Sequence, residues 1–235
     1  MLNLIVRAKN ADKEALNELG YLHFSGTEIK QDYAKALHYY QQSASHNYPN
    51  AQFNLGILFE KGLGVARDLA IAKIWYEKAA QQGFVLAQYN LACLHQHDSA
   101  TQHLAAYWFQ QAANRHYPLA QNNIGMMLLN GLGVEQNKEL AVTWFEKAAE
   151  QNIIEAMRNL GFCYLNGDGV LQNNFFAIEW FKKAAEFDDD VALFQLGRFC
   201  LEGVDMQRDE ALALKLLHES ACKGNRDALT LLNKK

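Results

Sequence analysis

Residues 120–155 read AQNNIGMMLLNGLGVEQNKELAVTWFEKAAEQNIIE, and the pattern of this stretch recurs along the whole chain. It starts at a small anchor residue, Ala120, and an aliphatic–glycine pair, Ile124-Gly125, follows four residues later. Successive anchors are 36, 36, 33, 36, 36 and 36 residues apart, at Ala15, Ala51, Ala87, Ala120, Ala156, Ala192 and Ala228. A fixed period of roughly 20–50 residues predicts a repeat protein in which each unit packs on its neighbours.

Each repeat is predicted to contain two helices joined by a turn. In the quoted repeat the first helix should end at Gly131 and the second should begin after Asn137, because glycine favours left-handed helix ends and asparagine caps helix N-termini. The equivalent turn residues are Gly26, Gly62, Asp98, Gly167 and Gly203, and the equivalent caps are Asp32, Asp68, Thr101, Asn173 and Asp209. The three residues missing from the third repeat therefore belong to this turn.

Small residues in both helices predict close helix packing. Glycine inside a helix costs about 1 kcal/mol relative to alanine, so the recurrence of glycine at position 125 and its equivalents indicates that another backbone comes close. We expect Gly125 to pack against Ala141 of the second helix. The other expected pairs are Gly20 with Ala36, Gly56 with Ala72, Ala92 with Ala105, Gly161 with Ala177 and Gly197 with Ala213.

The second helix carries a pair of large residues, Trp144-Phe145, that we interpret as core. The equivalent pairs are Tyr39-Tyr40, Trp75-Tyr76, Trp108-Phe109, Trp180-Phe181 and Leu216-Leu217. The helix is then predicted to stop at Asn152, a residue type that tolerates positive φ. The equivalent stops are Asn47, Gly83, His116, Asp188 and Gly224.

Composition agrees with this pattern and excludes several classes of protein. Half of the 235 residues are hydrophobic, one fifth are charged and only two are proline, which indicates a folded, helix-rich chain. A net charge of -4 with a pI near 6.1 disfavours binding to nucleic acid or an anionic membrane. No apolar run approaches the ~20 residues that cross a bilayer, so we expect a soluble chain without membrane insertion.

We therefore predict an all-α fold, a right-handed α-α superhelix (solenoid) of about six 36-residue helix-hairpin repeats. Repeats starting near 15, 51, 87, 120, 156 and 192 form a single domain over 1–235, with half-repeats at 1–11 and 227–235. We expect a monomer. Four cysteines at unrelated spacings suggest free thiols and a cytoplasmic location, or a periplasmic or secreted one if a leader peptide was removed.

The recurring motifs A-x-x-x-L-G, G-x-G-V-x-x-D/N and A-x-x-W-Y/F-x-x-A-A resemble the Sel-like repeat (SLR), a relative of the tetratricopeptide repeat (TPR). The most specific fragments are 62–65, 131–134 and 167–170, and the departures are 95–99 and 203–205. The resemblance covers essentially the whole chain and implies a scaffold or adaptor that binds another protein or a peptide. The alternative is an envelope-associated hydrolase or a glycan- or β-lactam-binding protein of the cysteine-rich type, whose paired cysteines this chain lacks.

The predicted binding surface is the concave wall formed by the first helices. Side-chain amides recur three residues after the anchors, at Asn54, Asn90, Asn123, Asn159 and Gln195. Amides suit hydrogen bonding to the backbone of an extended peptide, as the resemblance to TPR domains also implies, but each amide can equally bond a loop carbonyl of the preceding repeat. Flanking candidates are Phe53, Tyr89, Asn122, Arg158, Phe194 and Arg198. The arginines can bind a partner's carboxylate or remain solvated.

No catalytic site, metal or cofactor is predicted, and the chain is not expected to be an enzyme. His95, His97, Asp98 and His103 are close in sequence but lack the paired Cys/His spacing of a zinc site. Residues 220–223 match S-x-x-K without the companion motifs of acylating enzymes. His218-Glu219 lacks the second histidine of H-E-x-x-H.

The core assignment of the aromatic pair gives a first prediction. Trp144→Ala should lower the free energy of unfolding by about 3–5 kcal/mol, because it removes a large buried ring and leaves a cavity. Thermal or denaturant unfolding of the variant measures this loss. A loss below about 1 kcal/mol would contradict the packing, because such small effects are typical of surface substitutions.

Overall fold

A computed structural model describes residues 2–205 and 207–233, which contain fourteen helices and no strand. The helices are α1 (Leu2–Lys9), α2 (Lys13–Ser25), α3 (Tyr33–Ser45), α4 (Pro49–Lys61), α5 (Leu69–Gln81), α6 (Val85–His95), α7 (Gln102–Asn114), α8 (Pro118–Asn130), α9 (Lys138–Ala149), α10 (Ile154–Asn166), α11 (Asn174–Ala185), α12 (Asp190–Glu202), α13 (Glu210–Cys222) and α14 (Arg226–Leu232). The all-α prediction is confirmed. None of the described helices is long and apolar enough to cross a membrane.

The helices are organised as hairpins that pack in chain order. Contacts divide the chain into two compact units, Met1–Arg115 and His116–Lys235. In unit 1, α2 packs with α3, α4 with α5 and α6 with α7, and neighbouring hairpins meet through α3–α4 and α5–α6 contacts. In unit 2, the hairpins are α8–α9, α10–α11 and α12–α13, linked through α9–α10 and α11–α12. In each hairpin the lower-numbered helix is called the first helix below.

The helix stops form at the predicted residues in all six repeats, and the caps do so in all repeats except the third. Five glycines end first helices with φ between 66 and 75°: Gly26, Gly62, Gly131, Gly167 and Gly203. The side chains of Asp32, Asp68, Asn137, Asn173 and Asp209 each accept a backbone N–H at the start of a second helix. All six predicted stops, Asn47, Gly83, His116, Asn152, Asp188 and Gly224, have positive φ.

In the third repeat, the prediction of a left-handed cap at Asp98 is wrong. Helix α6 ends at a right-handed Gln96, and Asp98 does not adopt positive φ. Thr101 does precede α7, but its side chain accepts no capping bond and its hydroxyl donates to the carbonyl of His95 at 3.0 Å. The turn is three residues shorter than in the other repeats. The hydroxyl of Thr101, just before α7, therefore bonds the last residue of α6 directly.

The anchors and the second-helix alanines form the invariant centre of each hairpin. All thirteen have 0% exposure: Ala15, Ala51, Ala87, Ala120, Ala156, Ala192, Ala228, Ala36, Ala72, Ala105, Ala141, Ala177 and Ala213. Of each aromatic pair, the second member is fully buried, as at Phe145 and Phe181. The first member lies at the boundary, where a lysine ammonium covers the ring of Trp75, Trp144 or Trp180 at 3.9–4.3 Å from its centroid.

The expectation that the mid-helix glycines pack mainly against the alanines needs correction. A Cβ added at Gly161 would lie 2.6–2.9 Å from three ring carbons of Phe181, and one at Gly125 would lie 2.7 Å from the Phe145 ring. The alanine contributes only its backbone, since the Ala141 carbonyl oxygen is 3.2 Å from the same point at Gly125. The glycine therefore leaves room for the buried ring, because a Cβ at this position would overlap the ring carbons.

This geometry predicts that Gly161→Ala destabilises unit 2 by about 1–3 kcal/mol, although alanine is the better helix former, because the new methyl group overlaps the Phe181 ring. The matched control is Ala92→Gly, because the third repeat has alanine at the position of Gly161. This substitution should lower the free energy of unfolding by about 1 kcal/mol through the lower helix propensity of glycine. Urea unfolding measures both variants. A gain in stability for Gly161→Ala would show that the ring does not fill the space above the glycine.

Candidate functional site

The side-chain amides that recur three residues after the anchors are called the ladder amides below, and two of them bond the preceding first helix. In unit 1, Asn54 Nδ2 on α4 donates to Asn17 Oδ1 on α2 at 3.0 Å. In unit 2, Asn159 Nδ2 on α10 donates to Asn122 Oδ1 on α8, also at 3.0 Å. The acceptor is a side-chain amide and not a loop carbonyl. These two asparagines therefore join consecutive repeats, which is the geometry that a structural ladder requires.

Several flanking candidates are packed into their own unit. The Phe53 ring lies 5.1 Å from the Phe84 ring, and Tyr89 lies 5.6 Å from Phe109, measured between ring centroids. Asn122 and Gln195 are only 9% and 8% exposed. Asn123 accepts a long, 3.5 Å hydrogen bond from Asn122. These residues present little polar surface to a partner.

The two candidate arginines occupy different environments. Arg158 forms a 2.7 Å ion pair with Asp189, whose other oxygen accepts the backbone N–H of Ala192 at 2.8 Å and so caps α12. Arg158 therefore fastens α10 to the start of α12. Arg198 is exposed and contacts Glu202 at 3.3 Å, so its guanidinium is open to solvent on one side.

A cleft of about 270 Å³ opens between α4 and α6 in unit 1. It is lined by Ile57, Glu60, Lys61, Tyr76, Asn90, Cys93 and Leu94. At its base the Tyr76 hydroxyl donates to Glu60 Oε2 at 2.6 Å. Burial, followed by the hydrogen bond to Glu60, raises the pKa of Tyr76, and burial raises the pKa of Cys93. Both groups stay protonated at neutral pH, so the cleft offers polar contacts without an activated nucleophile.

Unit 2 has a smaller cleft of about 130 Å³ between α10 and α12. It is lined by Leu165, Asn174, Gln195, Arg198, Phe199, Glu202 and Val204. Of the predicted site residues, Asn90 thus lies in the unit 1 cleft, and Gln195 and Arg198 lie in the unit 2 cleft. Each unit presents a mixed polar and apolar cleft on its first-helix face.

The reactive and metal-binding groups remain dispersed. Within residues 2–205 and 207–233, no three His, Cys, Asp or Glu side chains meet as a metal site. Burial, with a contribution from Lys73, lowers the pKa of His95. The four cysteines are free thiols, and burial raises the pKa of Cys163 to about 12. The Ser220 hydroxyl of the S-x-x-K fragment is fully buried and donates to the Asp190 carbonyl at 2.6 Å.

Sequence reasoning missed a second set of amides, which lie one residue after the anchor. Gln52, Gln88 and Gln121 are buried between hairpins. Gln52 Oε1 accepts from Gln82 Nε2 at 2.7 Å, and Gln121 Oε1 accepts from Gln151 Nε2 at 2.8 Å. The sequence did contain a signal for this set, because a glutamine recurs at the repeat spacing directly after the anchor alanine. A buried amide needs a hydrogen-bond partner, so such a recurrence predicts a repeated contact.

The fold and these clefts define a class of protein, the α-helical repeat proteins built from stacked hairpins. The Sel1 repeat family model matches residues 13–48, 49–84, 85–117, 118–153, 154–186 and 190–225. The chain therefore belongs to the Sel1 repeat family. Proteins of this family generally act as protein–protein interaction scaffolds and are generally non-enzymatic.

Solved structures of Sel1 repeat proteins share the fold. The chain is 31% identical to c5321, a protective antigen of uropathogenic Escherichia coli that displays an SLR fold, with a TM-score of 0.89 over 96% of this chain. It spans about half of that protein, 49% of its length. A Sel1 repeat protein from Oxalobacter formigenes is 24% identical, with a TM-score of 0.74 over 93% of this chain and 95% of that one.

A third similar structure is a putative Sel1 repeat protein from Klebsiella pneumoniae, 22% identical, with a TM-score of 0.52 over 83% of this chain and 96% of that one. The comparison with curated proteins found no match. Nothing in these comparisons supports the hydrolase or β-lactam-binding alternative.

The ladder geometry predicts a measurable coupling between Asn159 and Asn122. Asn159→Ala should lower the free energy of unfolding by about 1 kcal/mol, because it leaves Asn122 Oδ1 without its donor. A double-mutant cycle with Asn122→Ala measures the coupling, which we expect to be about 0.5–1.5 kcal/mol. Additive effects of the two substitutions would show that the bond does not contribute to stability.

Proposed function

We propose that this protein is a scaffold or adaptor that binds a peptide, or a segment of a partner protein, on its first-helix faces. The observation that carries this proposal is the cleft between α4 and α6. Asn90 lines it beside Glu60, and apolar contact surface comes from Ile57 and Leu94. Amide and carboxylate groups beside apolar side chains suit the backbone and side chains of a bound peptide.

The hydrogen bonds distinguish two kinds of ladder residue. Asn54 and Asn159 are used within the fold, whereas the side chain of Asn90 has the Tyr76 hydroxyl as its one hydrogen-bond partner among the described residues. An amide has two donors and one acceptor group, so Asn90 keeps hydrogen-bonding capacity for a ligand. In unit 2, Arg198 supplies the equivalent contact for a carboxylate. Binding is therefore proposed at Asn90 and Arg198, with the other ladder asparagines in supporting positions.

The same proposal covers the setting in which the protein works. The four free thiols support a reducing compartment, so we place the protein in the cytoplasm. We propose a monomer that needs no cofactor and catalyses no reaction. Light scattering across a concentration series tests the oligomeric state.

A photo-crosslinking residue at position 90, introduced into the full chain, tests the proposed surface. In native lysate it should trap a protein that mass spectrometry identifies, whereas the same residue at Lys215, exposed on a second helix, should not. With the purified partner, Asn90→Ala or Arg198→Glu should weaken binding at least about tenfold, the usual effect of removing a central contact. Lys215→Gln is the control and should leave the affinity unchanged.

All variants are compared only after their melting temperatures have been matched to the wild type. Equal affinity for the wild type and both cleft variants would place the contact away from the first-helix faces. Trapping at position 215 with none at position 90 would do the same.

A further inference from the structure

A second cavity, of about 360 Å³, lies in unit 1 among the end of α5, the start of α6 and α7. Its lining includes Gly83, Gln88, Tyr107, Trp108, Gln111 and Arg115. Gln88 is only 3% exposed, and its Nε2 donates to the Ala80 carbonyl at 3.1 Å. That bond fixes the amide orientation, and Gln88 Oε1 then has no hydrogen-bond partner among the described residues. An unsatisfied buried acceptor destabilises the folded state, because it has lost its hydrogen bond to water.

The preceding repeat shows how the same position is normally satisfied. Gln52 Nε2 donates to Asn47 Oδ1 at 2.9 Å, and Gln82 Nε2 donates to both Gln52 Oε1 at 2.7 Å and Asn47 Oδ1 at 3.2 Å. The three side chains form a closed triad. In the fourth repeat, Gln151 donates to Gln121 in the same way.

In the third repeat two members of this triad are replaced. Gly83 stands five residues before Gln88, as Asn47 stands before Gln52, so the acceptor side chain is missing. Arg115 lies two residues after the Ala112-Ala113 pair near the end of α7, just as Gln82 lies two residues after the Ala79-Ala80 pair of α5, so a cation replaces a neutral amide. Arg115 Nη2 lies 2.6 Å from where a Cβ of residue 83 would be, which shows that the guanidinium uses the space that the glycine leaves.

The open triad combines two complementary groups. Arg115 is exposed, forms no ion pair with any described residue, and is the one charged side chain among the described residues of the lining. Its planar fork of N–H donors matches a carboxylate. Gln88 Oε1 needs an N–H or O–H donor. The Trp108 ring in the lining provides apolar surface.

We propose that this cavity binds the C-terminal residue of a peptide. The α-carboxylate accepts hydrogen bonds from Arg115, the backbone N–H of the same residue donates to Gln88 Oε1, and its side chain lies against Trp108. The volume is near the lower end of the roughly 300–1,000 Å³ of small-ligand sites and suits one or two residues. This site uses other residues than the first-helix clefts, so it stands independently of the proposed scaffold surface.

The test is an NMR titration of the full chain with N-acetyl-alanyl-leucine as the free acid, its C-terminal amide, acetate and free leucine. The acid should shift the side-chain amide signals of Gln88, and the amide and acetate should bind at least about tenfold more weakly, because each lacks one of the paired interactions. Free leucine carries the same carboxylate beside an ammonium group. Leucine binding as tightly as the peptide, or more tightly, would overturn the assignment to a peptide end.

Two variants rebuild the triad of the preceding repeat. Arg115→Gln, and Gly83→Asn with Arg115→Gln, should each weaken binding of the acid at least about tenfold without lowering the melting temperature, because Gln88 regains a donor within the protein. Lys30→Gln removes an exposed cation elsewhere in unit 1 and should bind like the wild type.

Three results would overturn the site: no binding of the acid at millimolar concentration, equal binding of acid and amide, or full binding by Arg115→Gln. The first would mean that Gln88 Oε1 accepts only from water. Asn90→Ala and Arg198→Glu should leave this titration unchanged, so failure here and failure of the scaffold surface are separable.

Discussion

Four of the six hairpins depend on the contact between a buried ring of the second helix and the backbone of the first helix at a mid-helix glycine; in the sixth, Leu217 takes the place of the ring, and the third has Ala92 at the glycine position. Gly161 and Phe181 show it in unit 2, and Gly56 and Tyr76 show it in unit 1, where the ring carbons lie within 3 Å of a Cβ position that the glycine leaves empty. The fully buried alanines on both sides permit the close approach. With the core fixed in this way, the polar residues around it are free to differ between repeats.

Those polar residues follow two patterns. Amides such as Asn54 and Asn159 bond the preceding first helix and so repeat a structural contact in each unit. Other positions change from one repeat to the next. The Tyr76 hydroxyl of the second repeat donates to Glu60, whereas the third repeat has Phe109 at the position of Tyr76. Arg115 stands where Gln82 and Gln151 donate to a buried amide in other repeats. At such a departure, the residue does not make the hydrogen bond that an equivalent residue makes in another repeat.

These departures lie at two of the cavities of unit 1. The cleft at Asn90 adjoins the Tyr76–Glu60 bond, and the cavity at Gln88 follows from the replacement of Asn47 by Gly83 in the next repeat. Membership of the Sel1 repeat family supports a partner protein as the ligand. Two sites with different chemistry on one small unit would allow a scaffold to hold one partner by a chain segment and another by its terminus.

The sequence by itself determined the all-α repeat fold, its caps and its helix stops, because these depend on local backbone preferences such as positive φ at Asn152 and on a spacing that repeats. Only the tertiary structure decided which amides are free. Asn54 and Asn90 are equivalent in sequence, yet one bonds Asn17 and the other lines a cleft, because partners thirty or more residues away satisfy a buried amide. The tertiary structure also decided which side chain lies above each mid-helix glycine, how the turn at Asp98 is formed and that the triad around Gln88 is open, because each of these depends on distances between helices that a one-dimensional pattern does not contain.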